Sequence, residues 1–467
     1  MIKNLASRLQ KLVNCYVSDE KQILKFYSVD SSFYKKNPKV VVFPKHASQI
    51  SKIIKFASRE NIPIVARGGS TGLVGSALTN GIILDMKHFN RIRVFNNHIV
   101  VGSGVSKGQT DQVLLKHRKF LGPNPSVGPY CTIGGMISTN ASGTKSLKYG
   151  SVIDNLLSIR IIDGQGRLIN LPSNSNISRK INSLLDGNII FPDVTKNSCG
   201  YRLDKIKDGE SHKIIAGSES TLGIILEAKL KIYNIPRKRE LFVIGLDSLE
   251  SASELVPYIL PLNPAALELI DDSIMKFIPF NFDKRVHCLL LVEFDSMVTK
   301  STKKLQSIIP KSWIIYETVK VDHIARWWAY RDAALYYTLK NIPKNHLIPH
   351  IIEDATIPVQ NLQFLIHILR KLVKEYKSRF VTYGHIGNGN IHIRLISSNH
   401  IHVNNLAKEF FSFVIAMGGS ISGEHGDGIA RTKYVKMQYS KDVYSKFIRL
   451  KQIFDPKSIL NPKNIIS

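Results

Sequence analysis

The stretch Ile64-Val-Ala-Arg-Gly-Gly-Ser-Thr-Gly72 joins a short apolar run directly to a glycine-rich loop. An apolar run bounded by glycine is typical of a buried strand that ends in a tight loop. The preceding residues predict a strand at 39–43 and, because apolar residues recur at helical spacing, a helix at 47–57. A further strand is predicted at 81–85. This β-α-β opening predicts a domain in which strands and helices alternate.

The composition is that of a globular chain. The 467 residues are 43% hydrophobic and 21% charged, which suits about two to four domains. No apolar run reaches the roughly 18 residues that a membrane-spanning helix needs, and the first ten residues do not resemble a signal peptide. The four cysteines form no Cys-x-x-Cys pair, so we expect neither an iron–sulfur cluster nor a zinc ribbon. We expect a reducing, cytoplasmic compartment.

The net charge of +28 raises the question of an anionic partner. Such an excess attracts nucleic acid or an anionic membrane surface. Lys and Arg are scattered along the whole chain, however, and no stretch interleaves aromatic and basic residues in the way that stacks bases. Nucleic-acid binding is therefore not expected. Peripheral attachment to the inner face of a membrane and a mere compositional bias stay as two interpretations of the charge.

Further along the chain, the pattern predicts a change of domain. Strands are predicted at 99–102 and 156–163, and again after the charged, proline-containing segment 236–239. The resulting division assigns residues 1–36 to an N-terminal helical extension, 37–236 to one domain, 237–420 to a second and 421–467 to a C-terminal segment. The other predicted elements are strands at 241–245 and 288–293 and helices at 362–376 and 441–454.

Three glycine-rich clusters occur in the first half, at 67–72, 132–143 and 216–223. Glycine allows backbone N–H groups to converge on an anion, because it tolerates positive φ and has no Cβ. None of the clusters matches the P-loop pattern or the Gly-x-Gly-x-x-Gly pattern of a Rossmann site. One cluster alone indicates an ordinary turn, whereas three together favour a cofactor that carries phosphate.

The stretch Gly384-His-Ile-Gly-Asn-Gly-Asn-Ile-His392 places two histidines around a glycine turn. It predicts a hairpin between strands at 380–383 and 391–394. Such a loop can be a simple turn, can cradle a phosphate, or can hold both imidazoles against one metal ion. Glu424, in Ser422-Gly-Glu-His-Gly-Asp-Gly428, is a candidate for the missing carboxylate ligand. The residues alone leave the three interpretations open.

The clusters, in this order, resemble the FAD-linked oxidase family with the vanillyl-alcohol-oxidase-type fold. The similarity is greatest to the branch that holds D-lactate dehydrogenases, the glycolate oxidase flavin subunit and D-2-hydroxyglutarate dehydrogenases, and the segment Gly122-Pro-Asn-Pro-Ser126 also fits that branch. The resemblance implies an α+β chain. A two-subdomain, PCMH-type FAD-binding domain is followed by a ferredoxin-like α+β substrate (cap) domain and a C-terminal helical segment that returns to the FAD domain.

The resemblance also implies where FAD binds. Ser220 stands where the family usually has a second glycine, and the loop at 67–72 lacks the histidine to which some relatives attach FAD, so non-covalent FAD is expected. The implied FAD-binding residues are Arg67, Gly68, Gly69, Ser70, Thr71, Gly72, Pro125, Ser126, Thr132, Gly134, Gly135, Asn140, Ser142, Gly143, Glu219, Gly223 and Ile224.

For the second domain, the two hallmark motifs imply a divalent metal, zinc or alternatively manganese, on His385, His392 and Glu424. They imply that His425 is the general base. Further expectations concern single residues. Arg331, in a Trp-x-x-Arg motif, is expected to bind the substrate carboxylate, Asn390 to bond the substrate or a ligand, and Glu268, in a recurrent family segment, to have a structural role.

The implied activity is oxidation of a D-2-hydroxy acid to the 2-oxo acid, with the Cα hydrogen leaving as hydride to flavin N5. D-Lactate or glycolate is favoured because the segment 351–355 offers no second cation opposite Arg331. The alternatives are a D-2-hydroxyglutarate dehydrogenase and a non-catalytic flavin-fold subunit; an alkyl-dihydroxyacetone-phosphate synthase is disfavoured because its run of histidines is missing. The electron acceptor is expected to be a separate iron–sulfur subunit, electron-transfer flavoprotein, cytochrome or quinone.

Overall fold

The computed structural model describes residues 5–173, 176–187, 189–207, 209–346, 348–398 and 400–467. The strands are β1 (Tyr16–Ser18), β2 (Val40–Phe43), β3 (Ile64–Arg67), β4 (Ile82–Asp85), β5 (Ile92–Val94), β6 (His98–Gly102), β7 (Lys119–Leu121), β8 (Leu156–Ile162), β9 (Leu168–Leu171), β10 (Ile224–Asn234), β11 (Glu240–Leu246), β12 (Ala266–Asp271), β13 (Cys288–Phe294), β14 (Ile314–Thr318), β15 (Arg379–His385) and β16 (Asn390–Ile396).

The helices alternate with these strands. They are α1 (Leu5–Leu12), α2 (Lys21–Tyr27), α3 (Ala47–Glu60), α4 (Lys107–Lys116), α5 (Ile133–Thr139), α6 (Ser146–Tyr149), α7 (Val152–Asn155), α8 (Asn176–Asn182), α9 (Leu249–Ile259), α10 (Asp272–Met275), α11 (Val298–Ile308), α12 (Val321–Asp332), α13 (Ala334–Lys340), α14 (Leu362–Glu375), α15 (His400–Ala416), α16 (Gly428–Gln438) and α17 (Lys441–Phe454). The predicted elements are confirmed to within three residues at each end. Among these helices, none combines the length and the apolar character that crossing a membrane requires.

The first subdomain is a four-stranded sheet of order β1-β2-β4-β3, in which β4 pairs in parallel with both β2 and β3. Parallel strands need a crossover connection, and α3 provides it between β2 and β3, which lie on either side of β4. The helix buries Ile50, Ile53, Ile54 and Ala57, at i, i+3, i+4 and i+7, against the sheet. The glycine loop at 67–72 therefore begins where β3 ends.

The predicted N-terminal extension is not separate from this subdomain. Strand β1 pairs with β2 along the sheet edge, and Leu9 and Val13 are buried in the same hydrophobic core. The boundary predicted at residue 36 therefore does not coincide with a structural boundary, because the first turns of chain bury apolar side chains against the sheet.

The second subdomain is an antiparallel sheet of order β5-β6-β10-β8-β9, with β7 paired to the far end of β10. The long strand β10, at 11 residues, pairs with β6 on one side and β8 on the other. The short helix α5, which carries the second glycine cluster, packs on this sheet through Ile133, Met136 and Ile137. Both subdomains thus deliver glycine-rich loops toward one region.

The cap domain is a six-stranded antiparallel sheet of order β14-β11-β13-β12-β15-β16. Its first four strands, with the crossover helices α9 and α11, have the β-α-β-β-α-β order of a ferredoxin-like fold. The hairpin β15–β16 extends that sheet. Successive side chains alternate between its two faces: one face packs under α9, α11 and α14, the other partly under α10, α12 and α13.

After the cap, the chain returns to the first subdomain. Leu460 bridges to Ile64, and Ile459 and Leu460 are buried in the first subdomain's core. Helix α17 begins at Ser440, whose hydroxyl accepts the N–H of Val443. This return holds the loop at 422–428 between the first two subdomains and the cap sheet.

Candidate active site

A cavity lies where the glycine loops face the uncovered part of the cap sheet. Its lining combines three parts of the chain: the loop after β3, the region around α5, and side chains from α12, β15, β16 and the loop at 422–428. The cap-side lining residues are Arg331, Asp332, Leu335, Tyr383, His385, His392, Arg394, Glu424 and His425. The cavity therefore brings together the motifs of both halves of the sequence.

The wall on the FAD-domain side is made mainly of backbone. A Cβ on Gly68 would lie 2.0 Å from Thr132 Oγ1, and one on Gly69 would lie 2.3 Å from the carbonyl oxygen of Tyr130. Gly143 has φ +98°, and its Cβ would meet the carbonyl oxygen of Asn124 at 2.0 Å. Side chains at these positions would push the loops apart, so glycine is what lets them converge.

Most of the residues expected to bind FAD line this cavity. They are Arg67, Gly68, Gly69, Ser70, Thr71, Gly72, Pro125, Ser126, Thr132, Gly134, Gly135, Ser142, Gly143 and Glu219. The guanidinium of Arg67 is engaged elsewhere, since it donates to the carbonyl oxygens of Tyr27 and Val29. This loop therefore offers the cavity mainly its N–H groups and the small hydroxyls of Ser70 and Thr71.

Three of the expected FAD residues do not line the cavity. Asn140 ends α5 in the left-handed conformation, accepts the N–H of Ile153 and donates to the carbonyl of Asn197. It is a buried C-cap, which explains an asparagine within a glycine-rich segment. Gly223 and Ile224 lie where β10 begins, and a Cβ on Gly223 would meet Ile161. Their role in the described structure is to pack two strands together.

The cap sheet contributes alternate residues of its last strands. Tyr383 pairs with His392 across β15 and β16, and His385 pairs with Asn390. Because residues i and i+2 of a strand share a face, Tyr383, His385, His392 and Arg394 all lie on the face that borders the cavity. The turn between the strands needs Gly389, whose φ is +67° and whose Cβ would lie 1.9 Å from the carbonyl oxygen of Ile357.

Glu424 joins the two walls. Its Oε1 lies 2.9 Å from His385 Nε2 and 3.2 Å from His392 Nε2. Its Oε2 accepts the hydroxyl of Ser142, the N–H of Gly143 and the ammonium of Lys196. Burial opposes ionisation, but Lys196 and His385 outweigh it and hold the pKa of Glu424 well below its usual range. The carboxylate is therefore ionised, with one oxygen held by the FAD domain and the other facing the histidines.

His385, His392 and Glu424 have the arrangement expected of a divalent-metal site. The second ring nitrogen of His385 lies 2.6 Å from Glu268 Oε1, and that of His392 lies 3.3 Å from the carbonyl oxygen of Glu353. Such partners orient metal-binding imidazoles so that the other nitrogen faces the ion. Burial lowers the pKa of His392 to about 4, which keeps this imidazole neutral, as a ligand must be. These residues fit the predicted ion.

A second grouping overlaps with the first. One ligand atom from each of Asp354, His392, Glu424 and His425 lies within 4.8 Å of the others. Asp354 is occupied, however: its Oδ2 accepts the hydroxyl of Ser422 and the N–H groups of Glu424 and His425. Its hydrogen bonds hold the loop that carries Glu424 and His425, so Asp354 is less available to an ion than His385, whose Nε2 lies 2.9 Å from Glu424.

His425 stacks on His392, with ring centroids 5.1 Å apart. Its Nδ1 lies 2.9 Å from Glu353, and 21% of its side chain is exposed, more than for the neighbouring histidines. Burial lowers the pKa of His425, but Glu353 and Asp354 outweigh burial and raise it above its ordinary value. The imidazole is thus oriented by a carboxylate through Nδ1, with Nε2 left on the side of the metal ligands.

Arg331 reaches the cavity from the last turn of α12. It is buried; its Nε donates to Glu268 Oε2 at 2.7 Å, and Asp332 lies 3.7 Å from Nη1. Glu268 therefore bonds both Arg331 and His385, which gives the expected structural residue a specific task. It holds a cation and an imidazole in fixed positions beside the cavity.

Asn390 does not line the cavity. Its amide donates to Asp354 and to the carbonyl of Ala355, and its Oδ1 accepts from Lys196 at 3.3 Å. It therefore supports the ligands from behind, and in the part of the chain that the structure describes the Asn390 side chain has no hydrogen bond to His385, His392 or Glu424.

Sequence reasoning missed several residues of the site. Lys196, Glu353 and Asp354 are fully buried and bond the predicted residues, and Tyr383 and Arg394 line the cavity. A signal existed for Tyr383 and Arg394, because each lies two residues from a predicted histidine on a strand. The sequence signal for Lys196 was weaker, because this residue lies in a loop far from either histidine motif.

Comparison with known families accounts for both halves of the chain. Residues 38–172 match the FAD binding domain family, and residues 235–465 match the C-terminal domain of FAD linked oxidases. In overall fold the chain resembles a solved alkyldihydroxyacetonephosphate synthase, with a TM-score of 0.69 over 98% of this chain and 85% of that one. The sequence identity is 19%, so this likeness concerns the fold alone.

Curated relatives are similar over nearly the whole chain. The glycolate oxidase subunit GlcD of Escherichia coli K12 is 28% identical over 96% of this chain and 87% of its own length. The D-lactate dehydrogenase of Archaeoglobus fulgidus is 28% identical, with 91% of each chain covered. The D-2-hydroxyglutarate dehydrogenase of E. coli K12 is also 28% identical, over 94% of this chain, but the chain spans about half of that relative's length, 49%.

The backbone cradle lies where the FAD-binding match falls, and the histidine cluster lies where the C-terminal match falls. Together with the resemblance to hydroxy-acid dehydrogenases and oxidases, these findings identify the chain as a member of the FAD-linked oxidase family.

Proposed function

We propose that this protein oxidises a D-2-hydroxy acid to the corresponding 2-oxo acid, using non-covalent FAD and one divalent metal ion. The observation that carries the proposal is the convergence, at one cavity, of His425, the His385–His392–Glu424 cluster and the Arg331 guanidinium. When bound, FAD supplies a two-electron acceptor and the metal supplies a Lewis acid for the substrate hydroxyl.

The chain's own residues have separable tasks in this reaction. Arg331 binds the substrate carboxylate, and its ion pair with Glu268 fixes the direction of its fork. His385, His392 and Glu424 hold the ion, for which zinc is the first choice and manganese the second. These contacts orient a hydroxyl and a carboxylate on the same carbon, which is the feature that 2-hydroxy acids share.

His425 acts as the general base. The oxidation removes a hydroxyl proton, and an imidazole with a free Nε2 is suited to accept it near neutral pH. Glu353 bonds the opposite nitrogen and stabilises the cation that forms. Glu353 in turn is bonded by Arg431, so this acid–base pair is held from behind by a buried ion pair.

Reduced FAD requires an acceptor. The four cysteines are free, buried and distributed over both halves of the chain, and they do not form a cluster site. We therefore assign the acceptor to a separate partner: an iron–sulfur subunit, an electron-transfer flavoprotein, a cytochrome or a quinone. Attachment of FAD through sulfur is not expected either, because burial raises the pKa of the cavity-lining Cys131 to about 11 and makes its thiolate scarce.

The decisive test is an anaerobic visible spectrum of FAD- and metal-loaded protein before and after addition of D-lactate, glycolate or D-2-hydroxyglutarate. Loss of the oxidised-flavin band with one of these acids supports the proposal. L-Lactate is the negative control and should leave the band unchanged. A flavin spectrum that no 2-hydroxy acid bleaches contradicts the proposed activity. Protein that does not take up FAD contradicts the cofactor as well.

A further inference from the structure

Arg394 is a second buried arginine on the cap side of the cavity, and no motif assigned it a role. It lies two residues beyond His392 on β16 and therefore shares the cavity-facing side of the strand. Its exposed fraction is 2%, yet it lines the cavity. The sequence expectation of a monocarboxylic substrate rested on finding no second cation in the segment 351–355. The cation comes instead from the neighbouring strand.

The two arginines flank one aromatic ring. The Cζ of Arg331 lies 5.8 Å and the Cζ of Arg394 5.7 Å from the ring centroid of Tyr383. Tyr383 itself lines the cavity and accepts, through its hydroxyl, the Nε of Arg394. Both guanidiniums thus lie beside the same ring, and the hydrogen bond from Nε to the Tyr383 hydroxyl orients Arg394.

The charge of Arg394 is only partly compensated by the protein. Its Nη1 lies 3.0 Å from Glu353 Oε2 and 2.9 Å from His350 Nδ1. Glu353 also pairs with Arg431 at 2.5 Å and with His425 at 2.9 Å, so one carboxylate serves three cationic or basic groups. The oxygens of nearby Asp354 already accept hydrogen bonds from Ser422, Asn390 and backbone N–H groups. Arg331, by contrast, has both Glu268 and Asp332 beside it.

One edge of the Arg394 fork also remains available. Nε and Nη1 have the partners given above, whereas Nη2 has no hydrogen bond to any residue within the described ranges. Burying a guanidinium that is partly unpaired is costly unless an anion completes it. A carboxylate is the planar anion that a guanidinium edge binds best.

From these observations we propose that Arg394 binds a second carboxylate of the substrate, so that the preferred substrate is a D-2-hydroxy dicarboxylic acid. In this arrangement Arg331 binds the carboxylate next to the reacting carbon, and Arg394 binds the one at the far end. The inference rests on the proposed function, which it narrows from 2-hydroxy acids in general to dicarboxylates.

The test compares two acids that differ only in the far group: D-2-hydroxyglutarate and D-2-hydroxyvalerate. With wild-type protein, kcat/KM for the dicarboxylate should exceed that for the monocarboxylate by about 10²-fold, the value of one charge-assisted pair. Arg394→Gln should reduce that preference to less than about threefold. Arg326→Gln, which removes an exposed arginine of α12, is the matched control and should keep the preference.

Equilibrium binding gives a second readout that needs no turnover. Titration of the loaded protein with 2-oxoglutarate and 2-oxovalerate should show the same preference in Kd, and Arg394→Gln should abolish it. Arg394→Lys keeps the charge and should retain an intermediate preference for the dicarboxylate. This variant replaces Arg394→Gln in the test if the glutamine variant is unstable.

The outcomes separate the two proposals. Equal kcat/KM and equal Kd for the two acids in wild-type protein would overturn the role of Arg394, while the proposed oxidation would stand. If Arg394→Gln loses bound FAD but keeps the preference for the dicarboxylate, Arg394 belongs to the FAD site. That result would also overturn its proposed role in binding the second carboxylate. Failure of every 2-hydroxy acid to reduce the flavin would instead contradict the proposed function, and the Kd comparison would still decide whether a second anion binds.

Discussion

The two walls of the cavity are built from different parts of the amino acid. On the FAD-domain side, the loops at 67–72 and 132–143 present mainly backbone, and their glycines are required because Cβ atoms would collide with neighbouring backbone or side chains. On the cap side, the wall is made of long, polar side chains that are bonded to a further layer of buried carboxylates and cations. The first wall depends on the absence of Cβ atoms from its glycines, and the second depends on the polar groups of its side chains.

This difference teaches how each wall fails. A change in the glycine wall acts through space and should damage packing and FAD binding together. A change in the side-chain wall removes one donor or one charge and should damage chemistry while the fold persists. The variants below break or sharpen that contrast.

The largest effect is expected from a metal ligand. His392→Gln removes a neutral imidazole that faces Glu424, and kcat should fall by at least about 10³-fold, because Lewis-acid stabilisation is worth several kcal/mol. Metal analysis should show loss of the divalent ion, and the flavin spectrum should show FAD retained. The half-buried His98, which lies on β6 and does not line the cavity, supplies the matched control, His98→Gln, which should keep both. Retention of stoichiometric metal in His392→Gln would remove His392 from the ligand set.

Removal of the base comes next. His425→Asn should lower kcat by about 10²- to 10⁴-fold, the range of general base catalysis, with metal and FAD still bound. Wild-type kcat/KM should rise with pH, because the neutral imidazole is the active form and Glu353 and Asp354 raise its pKa above the ordinary value of 6.5. The variant should lose this dependence. An unchanged pH profile in His425→Asn would assign the titration to another group.

A glycine pair tests the other wall. A Cβ at Gly69 would meet the Tyr130 carbonyl at 2.3 Å, whereas at Gly72 its nearest contact is Ser76 Oγ at 3.8 Å. Gly69→Ala should therefore destabilise FAD-free protein by about 1–3 kcal/mol, and Gly72→Ala by less than about 0.5 kcal/mol. Thermal unfolding and FAD content of both variants give the answer. Equal stability of the two apo-proteins would mean that the loop adjusts at little cost.

The smallest effect concerns the link between the walls. Glu219 accepts the N–H groups of Asp427 and Gly428, and burial, with Asp427 nearby, raises its pKa to about 8. Between the ordinary value of 4.5 and about 8, the folded protein holds a proton that the unfolded chain releases. Stability should therefore decline as pH rises through this window.

Glu219→Gln should flatten that decline, as followed by chemical unfolding at pH 5, 6.5 and 8. The exposed Glu254 provides the control variant Glu254→Gln, whose pH dependence should match that of the wild type. A decline of the same slope in Glu219→Gln would place the responsible proton on a different buried acid, with Asp427 as the first candidate.

Some of the site could be predicted because its signals are local. Gly69 is informative in the sequence because a glycine without a side chain allows two backbone segments to approach closely, whatever the surrounding fold. Helix α17 was predicted at 441–454 to the residue, since its apolar spacing and its serine cap lie within one segment. Asn140 shows the limit: a left-handed helix cap and a cofactor contact favour the same residue in the same kind of segment.

Other features depend on contacts between distant parts of the chain. Glu268 meets His385 across 117 residues, and Lys196 meets Glu424 across 228. Nothing near Lys196 in the sequence distinguishes it from the many surface lysines. Arg394 had a local signal, since it lies two residues from His392 on a predicted strand. Only the position of β16 at the edge of the cap sheet, however, brings this second cation to the cavity.

By itself, the sequence determined the strands, the helices, the glycine loops and the kinds of donor available, because periodicity, capping and the lack of a Cβ act over a few residues. Only the tertiary structure decided which carboxylate each histidine meets, which arginines face the cavity and how their charges are compensated. Electrostatic partnership depends on distance in space and on exclusion of water, and both are set by the packing of the cap sheet against the two FAD subdomains.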